Sequence, residues 1–117
     1  MPKKKIPAIK MRIRVYSGDR MLGPGKIQLL ESIGSTGSLS AAAKEIGMSY
    51  MRAWNLTQEL NRDPKEPMIE MSRGGPSGGS ASLTSLGKKV LKLYREMDRA
   101  AGRAARANGL KLAQLLQ

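Results

Sequence analysis

Three rhythms of apolar and polar positions run along this chain. Lys10 to Tyr16 alternates, with Met11, Ile13 and Val15 apolar and Lys10, Arg12 and Arg14 cationic. A period of two predicts a half-buried strand whose other face is positive. Ser17 to Gly25 is rich in turn residues. Pro24 and Gly25 then lead into a helix of about ten residues, in which Ile27, Leu30 and Ile33 recur at helical spacing. After a break at Gly34–Gly37, Ser38 or Leu39 opens a second helix carrying Leu39, Ala42, Ala43 and Ile46, and Gly47 stops it. Ser49 is an N-cap for a third helix from Tyr50 to about Arg62.

The second half changes rhythm twice. Asp63-Pro64-Lys65-Glu66-Pro67 reads as a turn, and Met68 to Ser72 and Ser80 to Leu83 as short strands. Between them, Arg73-Gly74-Gly75-Pro76-Ser77-Gly78-Gly79 predicts an exposed flexible loop. Thr84 caps a long final helix, where Leu86, Val90, Leu93, Met97, Ala101 and Ala104 draw a stripe every three or four residues. Asn108-Gly109 is expected to end that helix, leaving Leu110 to Gln117 as a short amphipathic tail. The predicted order is β-α-α-α-β-β-α, with no internal repeat. It comprises a basic flexible arm (1–9), one domain (10–84), the long helix (85–108) and the tail (109–117).

Composition narrows the chemistry. A chain of 117 residues supports one domain, since domains usually run to about 100–150 residues. Phe is absent and aromatics total 3%, so the core must come from Leu, Ile, Val, Met and Ala. There is no His, which excludes imidazole bases, Ser-His-Asp triads and His metal ligands. There is no Cys, which excludes disulfides, thiol nucleophiles and thiolate zinc sites. Lys3, Lys4 and Lys5 resemble the start of a signal peptide, but Pro7, Lys10, Arg12 and Arg14 interrupt any apolar stretch after them. No run approaches the roughly 18 apolar residues of a membrane span. A cytoplasmic protein without cofactor or metal is the expectation.

Charge then points to a partner. The net charge is +12, and a chain this basic faces something polyanionic, nucleic acid first and an anionic membrane second. From Lys3 to Arg20 seven bases meet one acid, Asp19, and from Lys88 to Gln117 eight bases meet two acids, Glu96 and Asp98. Between them, bases and acids balance at six each. For any single lysine a solvated face is the simpler reading. An excess at both ends suits elements that grip phosphates around a more selective centre.

That centre is Leu39 to Leu60, which fits a helix-turn-helix. Ala43 supplies the small residue where the helices cross, and Gly47 a residue tolerant of positive φ in the turn. Ile46, Met48, Ala53, Leu56 and Leu60 sit at offsets that hold the second helix to the first. Three helices followed by a hairpin with a Gly-rich tip make a winged helix. The third helix is then the reading helix, and its first turns enter the major groove. Tyr50, Met51, Arg52 and Asn55 avoid the face that Ala53, Leu56 and Leu60 give to the core. Arg52 suits guanine and Asn55 adenine, each worth roughly 1–3 kcal/mol of discrimination. Ser49 both caps the helix and donates to a phosphate, and Trp54 is expected to pack beneath the helix rather than flank DNA. Lys44, Arg73, Lys88, Lys89 and Lys92 carry the surrounding electrostatics, and the wing loop is read as a phosphate or minor-groove contact.

Enzyme-like signals fail. Gly23-Pro24-Gly25-Lys26 resembles the end of a phosphate-binding loop, but Ile27 stands where Ser or Thr must bind magnesium and Arg20 where the first Gly belongs. Glu31, Glu45 and Glu59 lie on helix faces near Lys or Arg, with nothing to gather them in a cleft.

At this point several runs are familiar: Gly37-Ser38-Leu39-Ser40-Ala41-Ala42-Ala43-Lys44, then Gly47-Met48-Ser49-Tyr50, Ala53-Trp54 and Glu59-Leu60-Asn61. With Gly74-Gly75 through Gly78-Gly79 to Leu83-Thr84, the chain over about residues 10–98 resembles the N-terminal domain of ModE-type molybdate-responsive regulators. That domain is similar to the winged helix of LysR-type regulators. The resemblance implies a homodimeric DNA-binding domain, with the N-terminal strand and the long helices at the dimer contact. Ile13, Val15, Val90, Leu93, Met97, Ala101 and Ala104 are the candidates there. On the DNA side the candidates are Ser38, Ser40, Lys44, Ser49, Tyr50, Met51, Arg52 and Asn55, with Arg73, Gly74, Gly75 and Gly78 of the wing. ModE-type regulators bind molybdate in C-terminal domains for which this sequence has no counterpart, so molybdate binding by these residues is not expected.

The reading is therefore a sequence-specific, homodimeric regulator on a palindromic operator, with a link to molybdenum metabolism. The alternative is an architectural protein that coats DNA without sequence preference. A third possibility uses the long helix or the tail as a surface for a protein partner or an anionic membrane, although the tail carries only Lys111. The Leu and Met stripe could also simply cover the core. The dimer is preferred because Ala101 and Ala104 lie past the reach of so small a core.

Overall fold

Helix α1 (Pro24–Thr36) is the axis on which the rest is built. Its Leu29, Leu30 and Ile33 are wholly removed from solvent. Burial of such side chains contributes roughly 1.5–3 kcal/mol each. In this computed structural model, which describes residues 9–73 and 79–117, two short strands precede it, β1 (Val15–Ser17) and β2 (Arg20–Leu22). After it come α2 (Leu39–Glu45), α3 (Tyr50–Leu60), β3 (Ile69–Ser72), β4 (Ser80–Leu83) and α4 (Ser85–Leu115). Helices α2 and α3 close the core with Leu39, Ala42, Ala43, Ala53 and Leu60, and the second hairpin adds Ile69 and Ala81.

The caps lie where the sequence places them. The hydroxyls of Ser38, Ser49 and Thr84 accept from the backbone N–H of Ala41, Arg52 and Gly87 respectively. Gly47 adopts φ +66° in the turn between α2 and α3, a conformation costly to any residue with a Cβ. Strands β3 and β4 pair antiparallel from Ile69↔Leu83 to Ser72↔Ser80.

Three expectations are corrected. Lys10 to Tyr16 is not one strand: only Val15–Ser17 pairs, with Arg20–Leu22, around a turn at Gly18 with φ +60°. The apolar alternation serves α4 instead, because Ile13 packs on the core, its carbonyl accepts from the Tyr94 hydroxyl, and Ile9 lies against Gly109. Helix α1 passes through Gly34 to Thr36 and ends at Gly37, φ +80°. Gly34 sits against Leu83, whose Cδ1 would lie 3.4 Å from a Cβ there. Helix α4 does not stop at Asn108-Gly109 but continues to Leu115, so no separate tail exists. The Ile9 side chain reaches into the space that a Cβ on Gly109 would fill.

Candidate nucleic-acid interface

The turn from α2 into α3 presents one side of α3 to solvent. Ala53, Thr57 and Leu60 are buried, and the Thr57 hydroxyl satisfies itself on the carbonyl of Ala53. Tyr50, Met51, Arg52 and Asn55 are all exposed. Met51, at 63% exposure, is the most open of the large apolar residues on this helix. Ser49 is exposed as well, with its hydroxyl already accepting from the N–H of Arg52 at 3.1 Å. Its proton remains available to a phosphate.

Two clefts lie between α3 and the hairpin β3–β4. One, of about 400 Å³, gathers Ser38, Ser40 and Lys44 of α2 and its cap, Tyr50 of α3, and Met71, Ser72 and Gly79 at the base of the wing. The other, of about 670 Å³, is lined by Tyr50, Trp54, Gln58, Met71 and Arg73. Tyr50 therefore stands on the ridge between them. Arg52 leaves α3 on the opposite flank, toward the first turn of α1, where its Nη2 would lie 3.8 Å from a Cβ on Gly25. Gly74, Gly75 and Gly78 lie outside the described residues.

Trp54 corrects the expectation that it packs beneath the helix. It is 38% exposed, on the same flank as Tyr50 and facing the wing. Ala53 and Thr57, four residues apart, form the row that faces the core, and Trp54, one residue further round the helix, is turned away from it toward the wing. Sequence reasoning also missed Gln58 and Met71 as neighbours of Tyr50; the i, i+4, i+8 spacing of Tyr50, Trp54 and Gln58 is the signal that marks them as one row.

Asn61 holds the wing to this helix. Its side-chain amide donates to the carbonyl of Ile69 at 2.7 Å, and its oxygen accepts from the N–H of Met68 and Ile69 at 2.8 and 3.0 Å. Three of the amide's four hydrogen-bonding positions are thus spent on fixing β3 relative to α3. Lys26, which looked like a phosphate-loop lysine, is structural: it donates to the carbonyl of Met21 and pairs with Glu59 at 3.1 Å.

The dimer candidates divide. Ile13, Val15 and Val90 are partly buried against the chain's own core. Leu93 and Met97 are 60% and 50% exposed. Ala101 is half-buried and Ala104 exposed, on the part of α4 that runs past the core.

Three helices, a tight turn and a strand hairpin beside the third helix define the winged helix-turn-helix class of DNA-binding domain. No protein-family model matches the chain. Its relatives include a molybdenum-pterin-binding protein MopB of Rhodobacter capsulatus, 42% identical over 82 residues, and the transcriptional regulator ModE of Yersinia pestis, 41% identical over 86. Those matches take in 70% and 74% of this chain but only 30% and 31% of the relatives, so the chain spans about a third of their length. The ModE regulator of Escherichia coli K12 is 39% identical over 71 residues, 61% of this chain and 27% of that protein. The matched residues form a ModE-like N-terminal winged-helix domain. Among solved structures, the DNA-binding domain of CbnR in complex with DNA superposes with a TM-score of 0.54 at 23% identity, over 72% of this chain and 91% of that one. Streptococcus pneumoniae FabT in complex with DNA gives 0.50 at 20% identity, over 81% of this chain and 76% of that one. These structural likenesses concern the fold. The relatives named here are regulators and a binding protein, not enzymes. No helix among the described residues is long and apolar enough to cross a membrane.

Proposed function

We propose that this chain is a sequence-specific, double-stranded-DNA-binding transcription regulator linked to molybdenum metabolism. The observation that carries this reading is the Ser49-capped start of α3, with Tyr50, Met51, Arg52 and Asn55 all open to solvent. A winged helix reads bases with those first turns. The flanking basic segments supply phosphate affinity. The molybdenum link comes from the ModE and MopB relatives. A cytoplasmic location follows from acting on chromosomal DNA.

The protein acts as a homodimer on a palindromic operator, with two reading helices about 34 Å apart, one turn of duplex. The open Leu93 and Met97 on α4 support that assembly, because a monomer leaves them in water. Wing residues Arg73, Gly74, Gly75 and Gly78, together with Ser38, Ser40 and Lys44, complete the DNA contact.

Electrophoretic mobility shifts on fragments of the upstream region of its own gene test the reading. One fragment should be retained at much lower protein concentration than the others. Equal affinity for every fragment would overturn it in favour of an architectural coat. Sedimentation at micromolar concentration should give twice the 12.7 kDa chain mass.

A further inference from the structure

Six cations of α4 fall in one row. Lys88, Lys92, Arg95, Arg99, Arg103 and Arg106 follow at steps of three or four residues. At 3.6 residues per turn they share a face about 27 Å long. All but Arg95 are exposed, and Arg95 pairs with Glu31 of α1. Among the described residues, none of the other five meets a carboxylate in an ion pair. Glu96 and Asp98 border the row on either side without breaking it. Like charges at these spacings repel and weaken a helix, and the core makes no use of the five open ones.

The row is linked to the reading helix across the start of α1. Arg52 reaches toward Gly25 in the first turn of α1. The neighbouring Pro24 lines a cavity of about 240 Å³ together with Arg12, Arg95 and Arg99. Glu31 and Asp98 share that cavity, but Glu31 is engaged by Arg95. A cationic path thus leads from α3 over the start of α1 to α4.

We propose that the α4 row is a second, sequence-independent DNA contact, which holds the phosphodiester backbone flanking the half-site read by α3. The inference rests on that reading of α3. A duplex bears one charge per roughly 1.7 Å of axis, so a 27 Å row lies along about eight base pairs. Duplex fits better than a lipid surface. An interfacial helix sinks an apolar face with its cations alongside, whereas here Leu86, Val90, Leu93 and Met97 lie on the far side of the helix from the row.

The test is the full chain carrying Lys88→Gln, Lys92→Gln, Arg99→Gln, Arg103→Gln and Arg106→Gln, with Arg95 retained for its ion pair. Gln has nearly the helix propensity of Lys and Arg, and an unchanged circular-dichroism spectrum establishes that the variant folds. Fluorescence anisotropy over a salt series, on a duplex with the preferred site and random flanks, gives the slope of log affinity against log salt. The variant's slope should be shallower by up to about 4.5 for each chain bound, since each neutralised phosphate contributes about 0.9. Its preference for the site over a scrambled duplex should persist. A second variant, Arg99→Lys with Arg103→Lys and Arg106→Lys, should keep the parental slope because charge alone is required. Equal slopes for the parent and the Gln variant would overturn the proposal. So would a loss seen only on phosphatidylserine vesicles. Failure of the α3 reading shows differently, as an Arg52→Ala chain with unaltered sequence preference. Absence of any duplex binding by the parent overturns both.

Discussion

Gly87 lies directly against the carbonyl of Met68, so near that a Cβ on the glycine would overlap that oxygen. The same turn is held twice more: the Thr84 N–H donates to the Met68 carbonyl at 3.0 Å and the Thr84 hydroxyl to that of Pro67 at 2.7 Å. The start of α4 is therefore fastened to the start of β3, and the long helix moves with the wing. A glycine inside a helix ordinarily costs about 1 kcal/mol relative to alanine. Here close backbone approach offsets that cost.

Gly87→Ala should accordingly destabilise the protein by about 1–3 kcal/mol, the usual cost of forcing atoms into filled space. Gly102→Ala, also within α4 but with nothing within 4 Å of its Cβ position, should stabilise by up to about 1 kcal/mol. Urea unfolding of the two variants reads the opposite signs.

Asn61→Ala removes three hydrogen bonds between α3 and β3 and leaves backbone groups of Met68 and Ile69 unpaired. A loss of about 2–3 kcal/mol follows from the net value of such bonds plus the penalty for unsatisfied groups. Amide exchange at Met68 and Ile69 should accelerate, and DNA affinity should fall because the wing is no longer fixed against Tyr50.

Two replacements at Ser49 separate capping from DNA contact. Ser49→Ala loses the cap and should cost about 1 kcal/mol of stability. Ser49→Asp retains a cap and suits the positive end of the helix, so the melting temperature should hold. Its carboxylate faces the incoming phosphate, and the mobility shift should need far more protein.

Arg52→Ala and Asn55→Ala each remove one candidate base contact from an exposed position. Discrimination between the operator and a scrambled duplex should drop by about 1–3 kcal/mol, roughly 5- to 150-fold. Competition titrations measure the ratio, while thermal melts should move little because neither side chain is in the core.

Acid should act through Asp19. The Arg62 guanidinium bonds both carboxylate oxygens, at 2.9 and 3.1 Å, and holds this carboxyl below its usual range. A depressed folded pKa stabilises above the unfolded value of 3.8 and is lost as pH falls through the folded one. The pair is fully exposed, so the effect is small. Stability curves of parent and Asp19→Asn should coincide in strong acid and separate slightly as pH rises past about 4.

Much of the domain is legible in the residues alone. Ser38, Ser49, Thr84 and Gly47 mark helix ends because capping and positive φ depend on one or two neighbouring residues. The reading face of α3 follows from where Ala53 and Leu60 must point. Other features resist such reading. Gly34 and Gly109 look like helix breakers, yet both sit within helices, each against a residue distant in sequence. Trp54 looks like core, yet Ala53, Thr57 and Leu60 form the core-facing row and the indole turns toward the wing.

Sequence by itself determined the start of each helix, the second hairpin, the helix-turn-helix and the outward face of α3, since periodicity and caps are local properties of neighbouring side chains. Tertiary structure alone decided the length of α4, the seating of Ile9 and Ile13 along it, and the fastening of the wing by Asn61 and Gly87. Each of those depends on atoms from different elements, from seven to a hundred residues apart, meeting in space, and no local periodicity encodes that meeting.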